Sequence, residues 1–329
     1  MFLYNSHWCR VPNQQVRTDP AHPEAEFQEA LTADVDFLLL EHKDETPGAK
    51  KLHGLQAKLQ YINKDKATEL ISKWLLPREA NHDLSGEEFI AVANNSNLNK
   101  EYLKHAKDET LDLEGSKPDR IIGFVPFKRF QDLKSVFDEA AWEVMQRFMD
   151  IPLNREACFA FITADFKSAE GKSISYTTLQ QAHAGIAANN YMRKILESAD
   201  IDATELDTVH FGIVCDTITV VLYMHWSDSN GSYYMKQVFA TLIAAAHRHK
   251  TVNDDMVKMR GYIRNMVKWA KDARVTKTKE VVAITPGRLD AEEAAKKQAA
   301  QAQSQALDGQ RRDRDTFGKD IETVTQRYW

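Results

Sequence analysis

Asp165 and Lys167 close a short apolar run, Ala157-Cys158-Phe159-Ala160-Phe161-Ile162-Thr163-Ala164. Asp119, behind Pro118, opens another, Arg120-Ile121-Ile122-Gly123-Phe124-Val125. In a strand, residues i and i+2 face the same side, so Asp165 and Lys167 are expected to project together from a buried strand's end. A carboxylate from a neighbouring strand, Asp119, would complete a site for a hard cation. Mg²⁺ takes one or two carboxylates and keeps several waters, and Mn²⁺ suits the same oxygen donors. Water on such a cation, oriented by Lys167, is a nucleophile suited to a phosphodiester.

The acid-x-Lys triplet recurs elsewhere, at Glu41-His42-Lys43, Asp132-Leu133-Lys134 and Glu170-Gly171-Lys172. Asp132 sits in a helical pattern and Glu170 in a polar loop. Glu41 has no Pro-Asp upstream, and Pro118-Asp119 is the only Pro-Asp pair in the chain. The competing explanation is structural: Asp119 as a turn residue after Pro118, and Asp165 and Lys167 as a solvated strand end.

Three pieces carry a resemblance: Lys117-Pro118-Asp119, Phe161-Ile162-Thr163-Ala164-Asp165-Phe166-Lys167, and Gln180-Gln181-Ala182-His183-Ala184-Gly185 at the start of a helix. Together they resemble the PD-(D/E)xK nuclease superfamily over roughly residues 85–272. Within it, the likeness is closest to fungal proteins described only as PD-(D/E)xK-like. The resemblance implies an α/β, restriction-endonuclease-like core, with a central mixed sheet flanked by helices. It implies that Asp119 and Asp165 bind metal, that Lys167 positions or activates water, and that Gln181 sits beside the site. An acidic ligand from the first core helix is common in the superfamily, and Glu88 is the candidate here. A Glu at a helix start is ordinarily explained by capping and dipole effects. Gly185 differs from the tyrosine that many members carry four residues after the glutamine.

The elements that must position these residues follow from periodicity. Helical spacing runs from Pro23 to His42 and over 49–76, where Pro77 ends it. Ser85 and Glu88 resemble a capping box opening a helix towards His105. Strands are expected at 120–125 and 157–164, with a helix of about 20 residues between them over 128–149. A further helix is expected at 177–197, then strands at Val209–Val214 and Thr217–Trp226, ending at the turn Ser227-Asp228-Ser229-Asn230-Gly231. The apolar run leading to His247 reads as helical, and 253–272 as a basic amphipathic helix. From Leu289 onward the chain turns to Ala, Gln and charged residues with little core-forming power, a helical or disordered tail. The expected division is a helical N-terminal region over 1–84, a nuclease-like domain over 85–282 and the tail over 283–329.

Composition bounds the alternatives. The chain has 329 residues, 43% of them hydrophobic, and a net charge of -5. That excludes a wholly basic nucleic-acid coat but not a local basic surface. Residues 247–279 supply one, with ten Lys and Arg against three Asp. Arg264, Lys268 and Lys271 recur at i, i+4 and i+7 on one helix face and are the candidate phosphate contacts. A solvated helix face accounts for them equally well. Cys9, Cys158 and Cys215 lack the spacing of a disulfide framework or zinc site. With no signal-peptide core and no membrane-length apolar run, an intracellular protein, nuclear or cytoplasmic, is expected. P-loop, GxGxxG, HExxH and GxSxG motifs are missing. The expected function is metal-dependent cleavage of nucleic acid. The alternatives are a non-catalytic relative that binds nucleic acid or protein, and an interaction protein built on the helical region and tail.

Overall fold

A computed structural model describes residues 46–59, 61–76, 90–103, 116–124, 153–154, 156–167, 174–228, 231–244 and 253–284. It also describes a two-residue ladder between Arg10–Val11 and Gln14–Gln15 and short helical pieces at 294, 297–298 and 301–303. The helices expected at 23–42 and 128–149, Glu88, and most of the tail lie outside the described residues.

Six strands form one mixed, open sheet: β1 Ile90–Asn94, β2 Arg120–Phe124, β3 Cys158–Phe166, β4 His210–Cys215, β5 Thr219–Ser227 and β6 Tyr233–Leu242. They lie in sequence order across the sheet, and every neighbouring pair is antiparallel except β3 and β4. A parallel pair needs a crossover, and the helix α3, Ile174–Ser198, supplies it. All nine residues of β3 are buried. That is the pattern of a strand covered on both faces, and it explains the unbroken apolar run in the sequence.

The helix facing the site is made of small residues. Ala182, Ala184, Gly185, Ala187 and Ala188 of α3 are all buried, so the helix axis comes close to β3 and β4. Further along, Tyr191 fills the space with its ring perpendicular to that of Tyr102, 5.1 Å away. On the opposite face Phe211 of β4 meets Trp269 edge to face at 5.6 Å. The short helix α4, Glu205–Thr208, leads into β4, and Trp269 ends α5, Asp254–Trp269. A π turn, Ala270–Arg274, then carries the chain into a further helical stretch reaching residue 284.

Three expectations need correction. The span 49–76 is two helices, α1 Thr46–Leu59 and α2 Lys64–Leu75. Asn63 caps α2, its side chain accepting the Lys66 N–H at 3.0 Å. The stretch expected as one helix from Ser85 to His105 contains strand β1 and a 3₁₀ turn at Lys100–Leu103. Ile90-Ala91-Val92-Ala93 pairs with Ile121–Phe124, and that burial outweighs the local helical signal. The run before His247 begins inside β6, where Val238–Leu242 form the strand's second half, and β6 is an edge strand whose pairing with β5 is displaced once, between Leu222 and Tyr223. The expected pairing of 157–167 with the strand after Asp119 is present: Arg120 lies opposite Ala164 and Ile121 opposite Thr163.

Candidate metal centre

The register that sets Arg120 against Ala164 brings Asp119 beside Asp165 at the same end of the sheet. Residues opposed across antiparallel strands share a face, with Cβ atoms about 5 Å apart. Both aspartates are buried, at 5% and 3% exposure. Asp119 Oδ2 accepts the backbone N–H of Phe166 at 2.8 Å, and its Oδ1 accepts Lys64 Nζ at 2.7 Å. Asp165 Oδ2 accepts Gln181 Nε2 at 2.7 Å. No hydrogen bond reaches Asp165 Oδ1 among the described residues.

Burial, and then the Asp119 charge, push the Asp165 carboxyl up to about 6. The Gln181 hydrogen bond and the Lys167 and Lys64 charges pull the other way without cancelling them. The cause is ordinary: a carboxylate stripped of water beside another carboxylate holds its proton more tightly.

Lys167 stands where β3 leaves the sheet. Its backbone N–H donates to Cys215 at 2.8 Å, and its ammonium donates to Gln180 Oε1 at 3.2 Å and lies 5.9 Å from the Tyr176 ring centre. It forms no ion pair with either carboxylate among the described residues. Gln181 is fully buried and touches the site directly.

Behind Gln181 runs a polar chain that spacing did not indicate. Gln181 Oε1 accepts the Thr163 hydroxyl at 2.9 Å, and Thr163 Oγ1 lies 2.9 Å from His210 Nε2. His210 Nδ1 lies 3.3 Å from the carbonyl oxygen of Ala160. Burial, with Arg274 adding to it, pushes His210 down to about 3, so the ring is neutral. The chain admits two proton arrangements. With Asp165 ionised, Gln181 donates to Asp165, Thr163 to Gln181 and His210 Nε2–H to Thr163, which leaves Nδ1 without a proton for the Ala160 carbonyl oxygen. With Asp165 protonated, the amide turns over and every bond reverses, leaving Nδ1–H to donate to Ala160. The clue in the sequence was a polar residue inside an apolar run, at both Thr163 and His210.

Gly185, in the place of the superfamily's tyrosine, has a physical role. A Cβ there would come 2.5 Å from both His225 Nδ1 and Tyr233 Oη. Gly212 likewise allows His225 Nε2 and Gln181 Oε1 to approach, at 2.4 and 2.6 Å from a Cβ on that residue. Tyr233 hydrogen-bonds to His225 Nδ1 and lies 3.2 Å from the Ala182 carbonyl oxygen. An aromatic from β6 thus occupies the space that α3 leaves open. His225 Nε2 is buried and has no hydrogen-bond partner among the described residues.

Lys64 was not anticipated. It is the first residue of α2, and 55 positions separate it from Asp119. Local spacing carries no trace of a contact over that distance. Arg264, Lys268 and Lys271 are placed elsewhere. Arg264 is half-buried, and Lys268 and Lys271 are exposed. Neighbouring Trp269 packs on Phe211, and Arg274 binds the carbonyls of Asp207 and Val209 at the entry to β4. Asp165 is level with Val214, near the other end of that strand. The last turn of α5 and the carboxylates therefore sit towards opposite ends of the sheet.

Residues 51–282 match a family model described as a domain of unknown function (DUF7924). The chain belongs to that family. No curated protein matches it. Within the family's span, no cluster of three or more His, Cys, Asp or Glu that could hold a metal occurs among the described residues. The donors at hand are the two carboxylates. A pair suffices for Mg²⁺ or Mn²⁺, whose remaining positions water fills, and Asp165 Oδ1 is open to accept one. No helix among the described residues is long and apolar enough to cross a membrane.

Proposed function

We propose that this protein is a PD-(D/E)xK-type, Mg²⁺- or Mn²⁺-dependent hydrolase of phosphodiester bonds in nucleic acid. The observation that carries the reading is the Asp119–Asp165 pair. Two buried carboxylates side by side, one lifted to about 6, are a cost to folding. Sites that bear such a cost are enriched in function. Asp119 and Asp165 would hold the cation, whose charge stabilises the phosphorane-like transition state and acidifies a bound water. Lys167 supplies a proton donor and positive charge beside the pair. Gln181 fixes the Asp165 carboxylate through Oδ2 and leaves Oδ1 facing the site. Thr163 and His210 hold Gln181 in turn.

One observation favours a second reading, a non-catalytic relative that binds nucleic acid or protein. Lys64 already neutralises Asp119 at 2.7 Å, and a site that needs no metal would look the same. Calorimetric titration with Mn²⁺ separates the two. The hydrolase reading expects one saturable site per chain that Asp119→Asn and Asp165→Asn each abolish. A wild-type protein that takes up no more Mn²⁺ than the Asp165→Asn variant favours the binding module.

A further inference from the structure

Among the described residues, three cationic side chains lie around the carboxylate pair, and they are not equivalent. Arg120 spends its guanidinium on the backbone carbonyl of Asp119, at 2.8 Å. Lys167 is turned to Gln180. Lys64 alone touches a carboxylate oxygen among the described residues, Oδ1 of Asp119. The other oxygen of that carboxylate is held by a backbone N–H, which cannot leave without unzipping the end of β3. The Lys64 side chain is 40% exposed. It comes from the first residue of a helix whose start is pinned independently, through Asn63. A long, half-solvated side chain on a fixed backbone can swing into water at little cost.

Resting on the metal-dependent reading above, we propose that Lys64 is a displaceable counter-ion that closes the Asp119–Asp165 pair. A divalent cation reaches Asp119 Oδ1 only once the Lys64 ammonium has moved off it into solvent. Lys64 thus sets the concentration at which the site fills. Without metal it also prevents two buried carboxylates from facing each other uncompensated.

The test uses the full chain and Mn²⁺ alone. Lys64→Met removes the competing charge, and Lys64→Gln removes it while keeping a donor for Oδ1. Thermal melts in chelator confirm that each variant is folded. Calorimetry, with electron paramagnetic resonance of free Mn²⁺, should show both variants binding roughly two- to fivefold more tightly than wild type, the range of a partly exposed ion pair. In parallel, amine acetylation read by peptide mass spectrometry should show Lys64 reacting faster once Mn²⁺ is bound. If the variants bind no more tightly than wild type while Asp165→Asn loses binding, the Lys64 proposal is overturned and the metal-dependent reading stands. If only the Lys64 variants bind, Lys64 is a permanent occupant that metal does not displace: the displacement is overturned, and the metal-dependent reading of the wild type falls with it. If neither binds, both fall. Mn²⁺ binding with no change in Lys64 acetylation also overturns the displacement.

Discussion

Asp165→Asn should make the metal-free protein more stable at neutral pH. In the unfolded chain the Asp165 carboxyl titrates near 3.8, and in the folded protein burial and Asp119 lift it to about 6. The folded state therefore binds that proton more tightly than the unfolded state does. Its penalty for carrying the charge is absent below pH 3.8, grows between 3.8 and 6, and is complete above 6. At ~1.36 kcal/mol per tenfold change in acidity, the full penalty is about 3 kcal/mol. Asparagine carries no charge, keeps an oxygen for Gln181 Nε2 and no longer repels Asp119. A gain of ~1–3 kcal/mol is expected at pH 7.5, or roughly 3–10 °C in Tm for a domain of this size. Urea unfolding of both proteins in EDTA, at pH 7.5, 6.0, 5.0 and 4.5, measures it. The difference between variant and wild type should shrink as pH falls. A variant less stable than wild type at pH 7.5, or a difference that does not change with pH, would refute the reasoning.

His210 should act with the opposite sign. Its folded pKa of about 3 lies below the ordinary 6.5, so stability is complete above pH 6.5 and lost as pH falls; His210→Gln should make that loss shallower by ~2–3 kcal/mol at pH 4.5, read from the same unfolding series. Gly185→Ala should cost ~1–3 kcal/mol, and Gly212→Ala a similar amount, because each Cβ meets His225 at 2.5 Å or less; denaturant midpoints equal to wild type would show that the ring can move aside. Arg274→Met should cost ~2–4 kcal/mol, since the buried guanidinium donates to the Asp207 and Val209 carbonyls. A loss below ~1 kcal/mol in urea would mean that water replaces those bonds.

The central strand pair was legible because its signals are local. An apolar run closed by Asp-Phe-Lys, a Pro-Asp opening its partner and a glutamine early in the next helix are each a matter of residue type and spacing. Burial of both faces of β3 makes that run continuous and readable. Strand β6 was not legible: as an edge strand with one covered face it offers Val238-Phe239-Ala240-Thr241-Leu242, whose small and apolar residues suit a helix equally well. Strand β1 was missed for a related reason, since Ser85 and Glu88 give a local helix-start signal and the pairing of Ile90–Asn94 with β2 is tertiary. The break at Asn63 has a local cause, a side-chain cap, which the apolar period running on either side of it obscured. Lys64, Thr163, His210 and Tyr233 reach the site from four different elements. Their convergence is a property of the sheet order and of two glycines, and nothing within a window of sequence encodes it.

The metal-dependent reading is tested most directly by single-turnover cleavage of end-labelled single- and double-stranded DNA and RNA. Wild type is compared with Asp165→Asn and Lys167→Ala, with Mg²⁺, with Mn²⁺ and with EDTA. Wild type should cleave only with a divalent cation. Asp165→Asn should not cleave, and Lys167→Ala should lose roughly a hundredfold or more while still binding Mn²⁺. Cleavage that persists in EDTA, cleavage by Asp165→Asn at the wild-type rate, or none of these substrates cut by wild type would contradict that reading.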